Sequence, residues 1–295
     1  MSSDNPDRGA LPSHVMAVAT MVAGVLLLAI NDALAKWLVE RYAPFQIILV
    51  RSLVALPLVV ALVLRADGWR GLRSARPGVH AGRGLLAVAA TLAFMLSLKA
   101  LPLAEATSLL FAAPLFVAAL SLPLLGQRVD APQRAAVAAG FAGVLIVVRP
   151  GASAFQAASL LALAAAGLYA LMMISARWIH PRDGARTVML FMTLTSALLS
   201  GIAVFTPWPK PQTVDALLFL AMAVTGTLGV TLITHAFRMA PAAVVAPFEY
   251  TALVWASLLG WLVWRDAPDA WTFTGAAVII AGGTALVLRE QQAKR

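Results

Sequence analysis

The sequence has 295 residues, of which 61% are hydrophobic and only 12% charged, with a mean hydropathy of +0.86. A soluble domain carries about a quarter charged residues, so this composition excludes a soluble globular protein. The net charge of +9 does not indicate nucleic-acid binding, because the basic residues lie in short loops between apolar segments, as in membrane proteins. The absence of cysteine excludes disulfides, thiolate metal sites and cysteine nucleophiles.

Apolar runs of about 20 residues, the length that an α-helix needs to cross a bilayer, predict ten membrane spans. The first half contains His14–Leu38, Pro44–Leu64, Val79–Leu98, Pro102–Leu124 and Ala131–Val148. The second half contains Phe155–Ala176, Ala185–Phe205, Val214–Phe237, Pro241–Trp264 and Trp271–Leu288. The polar start of the chain lacks a basic segment followed by a short apolar run, so we expect no cleaved signal peptide.

The loops on the two sides of these spans differ in basic residues. Of the 22 Lys and Arg residues, 15 fall on the side that holds both termini, and the other seven are Lys36, Arg41, Arg51, Lys99, Arg149, Lys210 and Arg265. Because positive loops stay inside, we expect a multi-pass protein of the inner membrane with both termini in the cytoplasm.

A shift of 139 positions aligns residues 99–126 with residues 238–265. Both copies have a cation, a proline three residues later and a long apolar run, and Phe111 falls on Tyr250. Each half holds five spans, an odd number, so the second half must enter the membrane from the opposite side. The sequence therefore predicts an all-α integral membrane protein built from two inverted five-helix repeats.

The predicted boundaries follow from the spans. The first repeat covers residues 14–149 and the second covers residues 150–288. Residues 1–13 and 289–295 form cytoplasmic tails.

Three stretches resemble a known family. They read LKALPLAEATSLLFAAPLF at Leu98–Phe116, NDALAKW at Asn31–Trp37, and MAPAAVVAPFEYTALVWASLLGWLVWRDAPDAWTFTGAAVIIAGG at Met239–Gly283. They are similar to the ten-helix EamA-type members of the drug/metabolite transporter superfamily. Gln127 and Ala136 depart from that pattern, because the family commonly has an acidic residue and a glycine there.

The resemblance implies a secondary transporter that works by alternating access through a central cavity between the repeats. Because amino-acid exporters, including those for aromatic amino acids, look the most similar, we expect export of amino acids or related metabolites. The alternatives are an uptake carrier of the riboflavin or S-adenosylmethionine type and a lipid flippase. Membrane lipids and a small-molecule substrate are the expected partners; no nucleic acid is expected, and a monomer is compatible with the sequence.

Glu249 is the deepest ionisable residue, because eight residues after Pro241 place it about 12 Å into the membrane. A charge there costs at least about 2.5–3.5 kcal/mol, so it is expected to face a cavity or a partner. It either contacts a substrate amine or proton, or forms a structural pair. Its neighbour Tyr250 and the later Trp255 either line the pathway or serve packing.

Asp32 and Arg51 are predicted at similar depth in the first two spans, with Asn31 adjacent. They form either a structural ion pair or a split recognition site for the two charged ends of an amino acid, in which Arg grips the carboxylate.

Three further residues are candidates for substrate binding. Glu105 suits either the first turn of its helix or the site. His235 either titrates as a proton site or packs between helices. Tyr169 is expected to need a partner for its hydroxyl in either role.

Prolines inside spans kink helices and free carbonyl groups, so Pro114 and Pro247 are candidate hinges. The four histidines are scattered and no H-E-x-x-H or nucleotide-binding loop occurs, so we expect no enzyme, catalytic residue, metal or cofactor. Rings of like charge, which would favour a channel, are also missing from the sequence.

Overall fold

The computed structural model describes residues 10–126, 131–149, 156–210 and 212–293, and within these ranges the regular elements are all helices. The α-helices are α1 (Ala10–Val39), α2 (Pro44–Asp67), α3 (Pro77–Leu98), α4 (Leu103–Leu110), α5 (Ala113–Leu125), α6 (Ala131–Val148), α7 (Ala158–Ile174), α8 (Ala185–Ser200), α9 (Thr213–Met239), α10 (Ala242–Val245), α11 (Thr251–Trp264) and α12 (Ala270–Ala293). Four 3-10 segments accompany them, at Gly68–Leu72, Ser175–Trp178, Gly201–Phe205 and Ala246–Tyr250.

Eight helical segments of the described chain are long and apolar enough to cross a membrane. Two shorter apolar segments, Arg134–Val148 in α6 and Ala270–Ala285 in α12, lie where the fifth and tenth spans are predicted. The prediction of an all-helical integral membrane protein is confirmed. Phe155, Gln127, and residues 1–9 and 294–295 of the predicted tails lie outside the described residues.

Two predicted spans are interrupted in the structure. The fourth is divided between α4 and α5 at Phe111 and Ala112, and the ninth consists of α10, a 3-10 segment and α11. Pro114 lies at the start of α5 and Pro247 at the start of the 3-10 segment. Because proline has no N–H for the carbonyl four residues earlier, regular α-helical bonding stops just before each. Both candidate hinges therefore lie at a helix break.

Close helix pairs hold the bundle together, and glycines allow them. A Cβ on Gly143 of α6 would lie 2.8 Å from the carbonyl oxygen of Gly275 on α12. A Cβ on Gly24 of α1 would lie 3.0 Å from that of Gly229 on α9. In lipid such close backbone approach supplies much of the association between helices. Helix α3 packs in turn on α7, and α2 on α8.

Candidate functional site

A cavity of about 140 Å³ lies between these helix pairs. Its wall combines helices from both halves of the chain: Asn31, Asp32 and Ala35 of α1; Ala90, Thr91, Phe94 and Met95 of α3; Leu110 of α4; Ala165 and Tyr169 of α7; and Met222 of α9. The wall is mostly apolar and has a few polar groups, which is typical of small-molecule sites. A volume of 140 Å³ is below the range of about 300 Å³ and above that such sites usually have, so the helices must separate to admit a metabolite.

The polar groups of the cavity wall are mainly hydrogen-bond acceptors. The buried Asn31 donates from Nδ2 to the carbonyl oxygen of Met222 at 2.7 Å, and Thr91 donates to the carbonyl oxygen of Ala87 at 2.8 Å. Their remaining oxygen lone pairs, and the carboxyl group of Asp32, are available to a ligand. None of the described residues that line the cavity is Lys or Arg. The wall therefore favours a ligand rich in donors or carrying positive charge.

Asp32 and Arg51 do not form the direct ion pair that the sequence suggested as one possibility. Their charges attract each other, but within the described part of the chain no contact of 4.0 Å or less joins them. Arg51 is half-buried on α2 and lies outside the set of residues that line the cavity. Asp32 is thus the acidic group of the wall, and Arg51, which is not a lining residue, interacts with it electrostatically.

Tyr169 connects the cavity to Glu249. The tyrosine lines the cavity with 44% of its surface exposed, and its hydroxyl group is near enough to the carboxyl group of Glu249 for the two to interact electrostatically. Glu249 is half-buried in the 3-10 segment of the ninth predicted span, and no hydrogen bond or ion pair to another described residue is seen. Glu249 is therefore near a residue of the cavity wall, and its carboxyl group is partly accessible.

The remaining aromatic candidates lie outside the cavity wall. Tyr250 packs edge to face on Phe111, with ring centroids 5.2 Å apart. Trp255 packs against a separate apolar cluster that includes Met21 and Val25, and its buried Nε1 has no hydrogen-bond partner among the described residues. For both residues the structure supports a packing role.

Two of the candidate residues are away from the cavity. Glu105, in the first turn of α4, accepts a hydrogen bond from Ser159 Oγ at 3.3 Å and is not part of the wall. His235 is exposed on the outer face of α9. The expectation that it titrates within the site or packs between helices is not matched by its position, because the rotation of α9 turns Met222 inward instead.

Sequence reasoning did not identify several lining residues, notably Thr91, Phe94, Leu110 and Met222. Apolar residues on a membrane helix give no sequence signal that distinguishes a cavity from lipid. Leu110 is the exception, because the shift of 139 positions aligns it with the candidate residue Glu249.

On one side of the cavity, Lys36 lies one turn beyond Asp32 on α1 and joins several helix ends. Its Nζ donates to the carbonyl oxygen of Leu101 at 2.8 Å, lies 3.4 Å from Asp266 Oδ2, and stands 5.1 Å from the ring centroid of Trp264. Only 7% of Lys36 is exposed. These contacts join the ends of α1, α3 and α11, and we name this side of the molecule the Lys36 end.

The opposite side, the His80 end, is held by a buried cluster around Asp183. His80 Nε2 lies 2.9 Å from Asp183 Oδ2, and the carboxylate also accepts bonds from Ser74 Oγ and the Ala75 N–H. Burial acts to raise the pKa of Asp183, but these hydrogen bonds together lower it to about 2. The cluster joins the start of α3 to the connection between α7 and α8.

The described residues contain no group of three or more His, Asp or Glu side chains placed to hold a metal ion. Membrane-spanning helices around a central cavity are the arrangement that solute carriers use. The model of the EamA-like transporter family matches residues 15–149 and again residues 156–288. The chain belongs to that family, as the resemblance implied.

Named relatives are similar over almost their whole length. The S-adenosylmethionine uptake transporter of Rickettsia bellii is 26% identical over 96% of this chain and 97% of its own. The riboflavin transporter of Vibrio cholerae is 29% identical over 90% of each chain, and the pseudopaline exporter CntI of Pseudomonas aeruginosa is 25% identical over 92% of this chain and 98% of its own. A solved crystal structure with 23% identity superposes with a TM-score of 0.62 over 95% of this chain and 99% of its own, which shows the shared fold.

Proposed function

We propose that the protein is a secondary carrier that moves small metabolites across the inner membrane by alternating access through the cavity at Asp32. The observation that carries this proposal is the composition of the cavity wall, to which both matched segments contribute helices. A cavity between two halves can open to either side when the halves rock against each other.

We further propose the ten-span architecture of two inverted repeats, residues 14–149 and 150–288, with both tails in the cytoplasm. The pattern of helix contacts supports it. Exchanging the halves converts the contact of α1 with α9 into that of α7 with α3, and both contacts are present. The same exchange maps the contact of α6 with α12 onto itself, and there the helices run antiparallel: Gly143 meets Gly275, whereas Gly140 meets Gly282.

The substrate class follows from the acceptors in the wall. Asp32, Asn31 and Thr91 offer oxygen atoms, and Phe94 and Tyr169 offer aromatic faces, which attract cations as well as flat rings. A small metabolite that combines positive charge with an aromatic part fits this wall. S-adenosylmethionine is such a compound, and relatives that span nearly the whole chain are named for its uptake.

The second candidate is an amino acid that the protein exports, as expected from the sequence. The relative named as a pseudopaline exporter shows that carriers of this kind include exporters. Riboflavin, which lacks a fixed positive charge, uses the aromatic wall but leaves Asp32 without a partner. We therefore expect the carboxylate of Asp32 to favour a positively charged substrate such as S-adenosylmethionine over riboflavin.

The proposal is tested by flux into proteoliposomes. Labelled S-adenosylmethionine, riboflavin, tryptophan and methionine are supplied to wild-type protein, to Asp32→Asn, and to His235→Gln, which changes a candidate residue outside the cavity. Both vesicle orientations, with and without a pH gradient, give direction and coupling. We expect saturable S-adenosylmethionine flux that falls at least about tenfold in D32N, because an ionic hydrogen bond is lost, and that persists in H235Q. Flux of every compound equal to that of empty vesicles would overturn the proposal.

A further inference from the structure

Arg83 is a buried arginine within the membrane-spanning part of α3, with 8% of its surface exposed. Its Nη1 donates to the carbonyl oxygen of Met172 at 2.7 Å and to Ser175 Oγ at 3.0 Å. Among the described residues no carboxylate pairs with it. A charge inside the membrane without an ionic partner is expensive, so such a residue is expected to be functional.

The hydrogen bonds of Arg83 leave one edge of its guanidinium group unpaired. The group has five N–H donors, and the two bonds described use the pair on Nη1. Its Nε is buried without a partner, and the hydrogen bonds of Arg83 to the described chain both come from Nη1, not from Nη2. The Nε–Nη2 edge presents two parallel N–H groups, a geometry that binds a carboxylate with two hydrogen bonds. Met172 and Ser175 thus orient the group and leave this edge without a partner among the described residues.

Arg83 also lies on the same face of α3 as the cavity. Positions 83, 87, 90 and 94 are spaced by three or four residues and therefore form one stripe, and the last two line the cavity. On α7, Met172 continues the stripe of Tyr169 in the same direction. Seven residues separate Arg83 from Ala90, or about 10 Å along the helix axis. Arg83 therefore lies about two helical turns from Ala90, on the side of the cavity that faces the His80 end.

We infer that the Nε–Nη2 edge of Arg83 is an anion subsite at the His80 end of the cavity, which takes the carboxylate of a zwitterionic substrate whose cationic part binds at Asp32. This inference rests on the proposed function and adds a second charged contact to it. The competing role is structural: Nη1 stabilises the last turn of α7, where carbonyl groups attract a cation. That role accounts for the two Nη1 bonds but not for the unpaired N–H groups on Nε and Nη2.

The first test does not depend on any substrate. The natural chain has no cysteine, so Ala87→Cys places a single thiol on the stripe between Arg83 and the cavity. Its rates of reaction with sulfonatoethyl and trimethylammonioethyl methanethiosulfonate, reagents of opposite charge and similar size, are compared in detergent solution. We expect A87C to favour the anionic reagent, and the additional change Arg83→Gln to lower that preference roughly tenfold. An unchanged preference, or a thiol that reacts with neither reagent, overturns the inference.

The second test uses a matched pair of ligands, S-adenosylmethionine and its decarboxylated analogue. We expect R83Q to reduce flux of the parent compound by about tenfold or more, the effect of a lost ionic hydrogen bond, and to leave flux of the analogue unchanged. A purely structural arginine predicts equal losses for both compounds. If the wild type moves neither compound, the proposed substrate is wrong, whereas the thiol reactions still decide the role of Arg83.

Arg83→Lys keeps the experiment informative if R83Q does not fold. Lysine retains the positive charge but lacks the planar fork. We therefore expect R83K to keep the preference for the anionic reagent and to lose most of the preference for the carboxylate-bearing ligand. An R83K protein that retains the full ligand preference overturns the bidentate contact.

Discussion

The rings of Phe111 and Tyr250 meet edge to face, with centroids 5.2 Å apart and planes at 73°. The two residues are 139 positions apart, which is the shift that aligns the two halves of the sequence. Phe111 lies at the break between α4 and α5, and Tyr250 precedes α11, so the two helix breaks lie next to each other. In the proposed architecture of two inverted repeats, the axis that relates the repeats would pass between these two residues.

This contact predicts how Gly283 tolerates a methyl group. A Cβ at Gly283 would lie 2.9 Å from the hydroxyl oxygen of Tyr250, whose ring Phe111 holds in place. We expect Gly283→Ala to destabilise the protein by about 1–3 kcal/mol through overpacking. The double variant Gly283→Ala/Tyr250→Phe has no hydroxyl to clash, so its melting temperature in detergent is expected to return to that of Y250F or above. A G283A protein as stable as the wild type would contradict the contact.

The close packing of α6 on α12 predicts that alanine at Gly143 destabilises the protein, whereas alanine at Gly82, outside this contact, does not. A Cβ at Gly143 would lie 2.8 Å from a backbone oxygen of α12, which cannot move aside. We expect Gly143→Ala to cost about 1–3 kcal/mol in thermal unfolding. Gly82 of α3 is the control, because a Cβ there has no atom within 4 Å. Gly82→Ala is expected to be neutral or stabilising by up to about 1 kcal/mol, since alanine favours the helix. Equal melting temperatures for the two variants would argue against close packing of α6 and α12.

The contacts of Lys36 predict how readily the cavity opens at the Lys36 end. Lys36→Met removes the bonds to Leu101 and Asp266 and leaves their oxygens without this partner. If the closed state loses about 1.4 kcal/mol, the open population rises about tenfold. A thiol introduced by Ala35→Cys, in the cavity wall, should then react about tenfold faster with a membrane-impermeant reagent supplied from the Lys36 end.

Arg41→Met provides the control for that experiment. The pair of Arg41 with Asp215 lies on the same side, but the arginine side chain is 36% exposed, and such surface pairs contribute at most about 1 kcal/mol. We expect a smaller acceleration. If the thiol of A35C reacts no faster in the K36M background than in the R41M background, Lys36 does not stabilise the closed state at the Lys36 end.

The lowered pKa of Asp183 predicts that the protein loses stability in acid. Its pKa is lowered from 3.8 to about 2 by hydrogen bonds that outweigh the effect of its burial. A carboxyl group with a lowered pKa in the folded state stabilises the protein above its ordinary pKa, and this stabilisation is lost as the pH falls through the folded value. We expect the wild type to lose melting temperature between about pH 4 and pH 2. Asp183→Asn, which cannot titrate, should be less stable at pH 6 and lose less over that interval; equal slopes would refute the assignment.

The sequence predicted the helices and two candidate hinges because membrane spans and prolines follow local rules. Apolar runs define spans, and Pro114 and Pro247 each remove one backbone N–H donor. These features require no knowledge of how one helix faces another.

The site depended on helix rotation and on tertiary partners, which the sequence does not encode locally. The rotation of α9 turns Met222 toward the cavity and His235 away from it. Arg83 was counted only as a loop-side cation, because nothing in its local sequence indicates that Met172 and Ser175 hold one edge of it. Asp32 and Tyr169 were identified because polar residues are rare in spans, and the structure places both in the wall.

The approach of Gly24 to Gly229 brings the backbones of α1 and α9 into contact, leaving little freedom to slide apart. Helices α1 and α9 together supply one wall of the cavity, and α3 and α7 supply the facing wall. In the proposed transport cycle, the cavity widens for a metabolite by separating these two walls, which moves Asp32 on α1 away from Tyr169 on α7. A ligand that touches both residues would therefore report how far the two walls have closed.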